Sequence, residues 1–301
     1  MPINSSSFAK ALWPGINKWY GRAYDEWPVE YSGLFDEETS NRQFEEDVGV
    51  TGFGLASVKP EGQGITYDEE TQAFVTRYTH AVYALGFIVT REIFDDDQYD
   101  IVGKRRAEAL AFSMRQTKET VGANVYNRAF NASYLGGDGL EMCSALHVNK
   151  SGGTWANELA TGADLSESAL EQACIDIAGF TNDRGLKIAV QPTKLIIPKE
   201  LQFEAERILM SQGRVATADN DRNALNSMGK FRQVVVNHYL TEVDNWWIRT
   251  NVQNGTKLFN RRGMEFGIDN DFDTENAKYK ASERYVFGWT DPRGVFGSEA
   301  P

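Results

Sequence analysis

The chain has 301 residues, 41 % hydrophobic and 25 % charged, enough for one large or two ordinary domains around a substantial core. Its formal net charge of -12, from 43 acidic and 31 basic residues, argues against tight nucleic-acid binding, because that affinity comes from neutralising phosphates. Two cysteines cannot build a disulfide framework, no basic leader runs into an apolar stretch, and no run of roughly 18 apolar residues predicts a membrane span; a reducing cytosol is expected.

Residues 1–47 mix Trp13, Trp19, Tyr20, Trp27, Tyr31 and Phe35 with Pro14, Gly15, Gly21, Pro28 and Gly33, and keep no sustained period. Disordered tails are poor in aromatics. The segment therefore reads as an extended arm that becomes ordered by lying on its own domain or on a neighbouring subunit. From Val48 to Thr76, Gly49, Gly52, Gly54, Gly62 and Gly64 punctuate short β-prone pieces, and Pro60-Glu61-Gly62 is a turn signal. This predicts a long, twisted hairpin with too little apolar content for a core of its own, projecting from the body. Tyr83, Leu85, Phe87 and Val89 then alternate along a strand.

Gln98 to Phe130 keep helical periodicity without a proline, well beyond the ~11–12 residues of an average helix. Asp95-Asp96-Asp97 precede it, the charge a helix N-terminus favours. Val102, Ala107, Leu110, Met114, Val121, Val125 and Ala129 form one apolar stripe, and Gly103 and Gly122 are candidate bends. A helix of this length acts as a strut. Gly136-Gly137-Asp138-Gly139 breaks the chain, and 140–255 reads as a mixed α/β unit. Its predicted elements are a helix from Leu165 to Phe180 capped by Ser166, a strand Leu195-Ile196-Ile197 closed by Pro198, and an amphipathic helix from Lys199 to Ser211. Strands at Val234-Val235-Val236 and Trp246-Trp247-Ile248 follow. Period two returns over 256–292, with Met264, Phe266 and Ile268 on one face and Tyr285, Phe287 and Trp289 sharing another.

Chemistry-bearing patterns are sparse. His80, His147 and His238 lie far apart and read as structural residues. Cys143 and His147 have helical i, i+4 spacing, but structural zinc needs four ligands and no second pair is near. Asp269-Asn270-Asp271-Phe272-Asp273 imitates a calcium loop and fails where Thr274 replaces the required glycine and Lys280 the required glutamate. No GxSxG, HExxH, phosphate-loop or GxGxxG pattern is present. No catalytic residue, cofactor site or metal site is assigned.

The order of elements resembles the major capsid protein of tailed double-stranded-DNA bacteriophages, the HK-ninety-seven-like fold shared with encapsulin shells. Ala11-Leu12-Trp13-Pro14-Gly15, Thr90-Arg91-Glu92, Leu195-Ile196-Ile197-Pro198 and Arg284-Tyr285-Val286-Phe287-Gly288-Trp289-Thr290-Asp291-Pro292-Arg293-Gly294 are similar to phage head-protein sequence. The resemblance implies an α+β fold with an N-terminal arm (1–47) and an extended hairpin loop (48–80). A peripheral domain (81–139 and 256–301) would hold the spine helix 98–130, and an axial α/β domain would span 140–255. It further implies a non-enzymatic subunit that self-assembles into pentamers and hexamers of an icosahedral shell in the virion. That shell would enclose double-stranded DNA without binding it tightly, and the subunit would be made in the bacterial host's cytoplasm.

A scaffolding protein, a portal and a decoration protein are implied partners, and no membrane is. The chain starts at the arm without a long charged helical extension, which implies a separate scaffolding protein or a trimmed form. Inter-subunit contacts are expected at Trp13, Trp19, Tyr20, Trp27, Phe53, Lys59 and Tyr67. Some relatives cross-link a hairpin lysine to a neighbour's asparagine; Lys59, the only lysine between 48 and 93, sits where such a lysine would be, and an exposed turn lysine is the preferred reading. An encapsulin-type compartment and, from another class, a cytosolic α/β enzyme are the alternatives.

Overall fold

Two four-stranded sheets and one long helix organise the described residues (20–95, 99–214, 221–271 and 275–300) of the computed structural model. Residues 20–26 are helical (α1) and Tyr31–Leu34 form a short turn of helix, α2. Strand β1 (Asp36–Thr39) follows, then β2 (Phe44–Val50) and β3 (Gln72–Thr79), which pair antiparallel as the stem of the hairpin. β4 (Ala81–Val89) leads through α3 (Arg91–Asp95) to α4, the long helix Tyr99–Asn127. Its 29 residues extend about 43 Å at 1.5 Å per residue.

The first sheet has the order β1-β10-β11-β4, where β10 (Thr256–Asn270) and β11 (Ala277–Trp289) form one long antiparallel pair. Ala107, Leu110, Ala111 and Met114 of α4 bury their side chains near Tyr279, Ala281 and Phe266 of that pair. The buried positions of α4 recur at three- and four-residue steps, as one helix face requires.

The second sheet has the order β12-β9-β7-β8, from β7 (Pro192–Pro198), β8 (Gln233–Asn237), β9 (Trp246–Thr250) and β12 (Val295–Ser298). Its side chains alternate between two cores, which is why it reads as continuously hydrophobic. Leu195, Ile197, Trp246 and Ile248 face α5 (Glu167–Ala178) and α6 (Gln202–Met210). Ile196, Val235 and Trp247 face Ala123 and Tyr126 near the end of α4. Gly297 of β12 has to be glycine-sized: a Cβ there would lie 2.8 Å from both Cys143 Sγ and Phe130 Cζ. A two-stranded pair, β5 (His147–Val148) with β6 (Thr154–Trp155), and a short helix α7 (Ala224–Met228) complete the set.

Local signals explain the agreements. Ser166 caps α5, its Oγ accepting from Ala169 N at 3.2 Å. Pro198 closes β7, and a 3-10 turn over Lys199–Leu201 precedes α6. Gly122 causes no break in α4; it lets the helix approach closely, since a Cβ there would stand 3.2 Å from the Phe287 ring. Val102 and Gly103 have no described side-chain environment, and Asp96 and Asp97 lie outside the described residues.

Three expectations are corrected and one alternative is decided. The helix ends at Asn127 rather than Phe130, where Ala129 N turns back to Tyr126 O at 2.9 Å. The hairpin stem begins at Phe44, inside the stretch assigned to the arm, and its long tip, 51–71, forms no strand. Of the two surfaces expected to order the arm, its own domain takes the described part: Tyr20, Tyr24, Tyr31, Leu34 and Phe35 are buried, and β1 pairs parallel with β10. Finally, the C-terminal segment divides. After Trp289 the Asp291–Gly294 turn reverses direction, and Val295–Ser298 pairs with β9 in the second sheet, burying Phe296 against α5.

Candidate functional site

The tip of the hairpin is apolar and uncovered. Leu55, Val58 and Tyr67 are 83 %, 93 % and 85 % exposed, and Phe53 and Ile65 are more than half exposed. An isolated apolar side chain on a surface is ordinary, but five on one projecting loop form a patch that normally meets a partner. The tip has little internal bonding. Gln63 N reaches Pro60 O at 3.2 Å in a turn that Gly62 completes at φ 77°, and Ser57 Oγ bridges to Thr66 Oγ1 at 2.8 Å. Lys59 is exposed beside that turn.

One residue clamps the root of the tip to the body. Arg184 stands in a turn fixed by Asn182, whose Oδ1 accepts from Arg184 N at 3.0 Å and Leu186 N at 2.9 Å. Its guanidinium donates to Gly52 O at 3.3 Å, to Asp68 Oδ1 at 3.2 Å and to Glu69 O. Asp68 ties the two limbs together, accepting from Gly54 N at 2.7 Å and Glu69 N at 2.9 Å. Those two backbone donors, then Arg184, hold its carboxyl below the usual range. Behind the clamp lies a cleft of about 290 Å³ whose walls include Asp47, Phe74, Trp155 and Arg293. Arg293 is buried and fully engaged there, bonding Thr181 O at 2.7 Å, Asn149 Oδ1 at 2.8 Å and Asp183 Oδ1 at 3.1 Å.

Arg184→Ala is expected to leave the body folded and to speed limited proteolysis within 51–71 several-fold, since among the described residues the tip has almost no other anchor. Because the pKa of Asp68 is depressed in the folded state, its contribution is present above the ordinary carboxylate value of about 4 and is lost as pH falls through the folded value. The wild-type tip should therefore become protease-sensitive in acid. Equal cleavage rates in wild type and variant at neutral pH would mean that the clamp restrains nothing.

The remaining expected contact residues separate. Trp27 is 47 % exposed and sets its ring edge-on to the exposed Phe112, 5.0 Å between centroids, a second apolar spot. Tyr20 is a correction: it is fully buried, stacked on Phe266 at 4.9 Å, so packing inside the chain removes it from any surface. Trp13 and Trp19 lie outside the described residues. Neither Arg184 nor Asp68 stood out in the sequence; Asn182-Asp183-Arg184-Gly185 marks a turn, but its partner 116 positions away leaves no local trace.

The histidines take structural places. His147 is buried, its Nδ1 2.6 Å from Asp138 Oδ2 and its ring stacked on Trp155. His80 Nε2 meets Ser40 Oγ at 3.0 Å, and burial lowers its pKa. His238 Nδ1 pairs with Glu30 at 2.7 Å. Cys143 is buried, and burial pushes its thiol up, away from the thiolate a metal needs. Among the described residues no group of three or more His, Cys, Asp or Glu could hold a metal ion, and no helix is long and apolar enough to cross a membrane. The calcium-loop imitation falls partly outside the described residues.

No curated protein matches the chain. Its fold is similar to solved structures: one of Mycobacterium phage Patience (12 % identity, 97 % of this chain and 88 % of that one, TM-score 0.55), and the capsid of a native GTA particle (11 % identity, 90 % of each chain, TM-score 0.53). A virus-like particle from Pyrococcus furiosus is similar at 11 % identity over 94 % of this chain and 98 % of that one, TM-score 0.50. At these identities the likeness establishes the fold, which is HK-ninety-seven-like and α+β. The model of the phage capsid protein family matches residues 73–297, well over half of the sequence, and the chain belongs to that family.

Proposed function

We infer that the chain is the major capsid protein of a tailed phage, a structural subunit that self-assembles into an icosahedral shell around double-stranded DNA. The family match over 73–297 carries this reading. The uncovered apolar hairpin tip supports it, because a surface of this kind is stabilised when a second copy covers it. The subunit acts without catalysis, and it forms pentamers and hexamers. Residues 81–139 with β10 and β11 make the peripheral domain, and the unit built on the second sheet makes the axial domain, to which β12 is added. Trp27, Phe53, Lys59 and Tyr67, with Trp13 and Trp19, are the contact residues between subunits. A scaffolding protein, a portal and a decoration protein complete the head, and synthesis takes place in the bacterial cytoplasm.

Negative-stain electron microscopy of the purified chain, alone and with its scaffolding protein, tests the reading. Closed shells or ring-shaped capsomers are expected; a monodisperse dimer or tetramer under both conditions would sink it. Replacing residues 54–67 by a short glycine-serine link should leave the monomer folded, since no ladder bond crosses that stretch, and should abolish closed shells. The similarity to a virus-like particle from Pyrococcus furiosus keeps an encapsulin-type compartment as the second reading. Shells that carry a co-purifying cargo protein and no nucleic acid would favour it.

A further inference from the structure

A concave cleft of about 580 Å³ lies at one end of the second sheet, where β7 and β8 begin and β9 ends. Three cations line it, Lys194, Arg232 and Arg249, against a single carboxylate, Asp36 of β1. That imbalance stands out in a chain whose net charge is -12. Register explains the cluster: Lys194 lies opposite Arg249 in the β7–β9 ladder, and Arg232 N bonds Thr193 O at 2.9 Å just ahead of β8.

Among the described residues only one of the cations pairs directly with a carboxylate. Arg249 is buried and its guanidinium donates to Asp36. Lys194 Nζ donates to the Gly33 carbonyl at 3.2 Å, a neutral acceptor. The exposed Arg232 guanidinium has no partner among the described residues. Burial, and then the neighbouring Arg249, lower the pKa of Lys194, while the Asp36 carboxylate raises it. Asn251 adds a donor: its Oδ1 already accepts from Gln191 N at 2.9 Å, so the unused end of that amide is its NH2.

We propose that this cleft binds a phosphate oxyanion through Lys194 and Arg232, with Arg249 behind them. A guanidinium and an ammonium lining one cleft suit a tetrahedral oxyanion, one as a planar fork and the other as a point charge. Free phosphate and the phosphodiester group of a nucleic acid share this chemistry; the second source rests on the capsid reading above. An acidic chain repels a polyanion overall, so one such site gives a local, salt-sensitive contact rather than tight binding.

The test is titration of the full-length chain with inorganic phosphate, followed calorimetrically and by thermal unfolding, against chloride at matched ionic strength. A saturable, phosphate-specific rise in melting temperature is expected. Arg232→Gln and Lys194→Gln should each weaken binding about tenfold or more, the effect of losing one charge-assisted hydrogen bond. Asp36→Asn should tighten it, because Arg249 is then released toward the anion. A wild-type response no different from chloride, or phosphate binding unchanged by Arg232→Gln and Lys194→Gln together, overturns the site. A short single-stranded oligonucleotide that displaces phosphate assigns the site to phosphodiester; phosphate binding without such competition assigns it to the free anion. Phosphate binding by a chain that never forms shells would leave the site standing and remove the capsid reading alone.

Discussion

Trp247→Ala is expected to lower the stability of the chain by about 3–5 kcal/mol, the range for deleting a buried tryptophan or phenylalanine. Trp247 is fully buried in β9 and has two aromatic neighbours on the far side of the sheet from α5 and α6. Tyr126 meets it edge-on at 5.8 Å and Phe130 stacks on it at 6.4 Å, and both belong to α4 or the turn after it. The residue therefore links the end of the long helix to the second sheet by packing. Gly297, 3.0 Å from Trp247 Cδ1 at its absent Cβ, has no side chain with which to fill the hole. Marginal stability of about 5–15 kcal/mol makes such a loss a large share of the total.

Trp246→Ala is the informative companion. Its side chain faces the other core, its Nε1 donating to Ala163 O at 3.0 Å. Urea unfolding with hydrogen exchange should show both variants destabilised. Faster exchange in the last turns of α4 should belong to Trp247→Ala alone. The same exchange pattern in both variants would show that the two cores are not separable.

The elements were legible where one period dominates. Ser166 with the apolar spacing of α5, the Leu195-Ile196-Ile197-Pro198 string and the alternation through Tyr285, Phe287 and Trp289 each state an element directly. The stripe of α4 was legible only in part. Arg115, Lys118 and Glu119 sit on its buried face, and a reading that sends charges to the surface must miss them. Partners distant in sequence explain the rest. Glu119 accepts from Glu30 N at 3.1 Å and Tyr31 N at 2.9 Å, tying the start of α2 to the spine, so a stretch without a period is nonetheless part of the core. The hairpin was visible from its glycines; the exposure of Leu55, Val58 and Ile65 on its tip was not, because its composition reads only as poor in core-forming residues. The clamp through Arg184 and the cationic cleft were not visible either, because each assembles residues from separate strands and turns.

Lys118→Met is expected to cost about 3–5 kcal/mol, more than a surface lysine could, because it leaves a buried carboxylate uncompensated. Lys118 and Glu283 are both buried, with Nζ 3.6 Å from Oε2, and Nζ also donates to Asn260 Oδ1 at 3.2 Å. The ammonium lies 5.0 Å from the centre of the Tyr31 ring and 5.1 Å from that of Tyr285, so it is enclosed by aromatic faces. Burial pushes its pKa down and the Glu283 carboxylate pulls it back. Burial and the same carboxylate push the Tyr24 phenol well above its ordinary value, so that hydroxyl stays neutral.

The cluster joins α1, α4 and β11 at one point, which makes it a register pin for the N-terminal segment. Removing both charges tests this. Lys118→Met combined with Glu283→Leu should recover most of the loss, since a buried ion pair replaced by apolar groups of similar volume is often neutral or stabilising. A double-mutant cycle in urea should therefore give a coupling of several kcal/mol, with each single variant worse than the pair. Additive losses would mean that the two charges do not share one interaction. If the pair recovers stability yet limited proteolysis opens residues 20–34, the ion pair holds register rather than fold. If those residues stay protected, Tyr31, Leu34 and Phe35 fix the segment by packing alone.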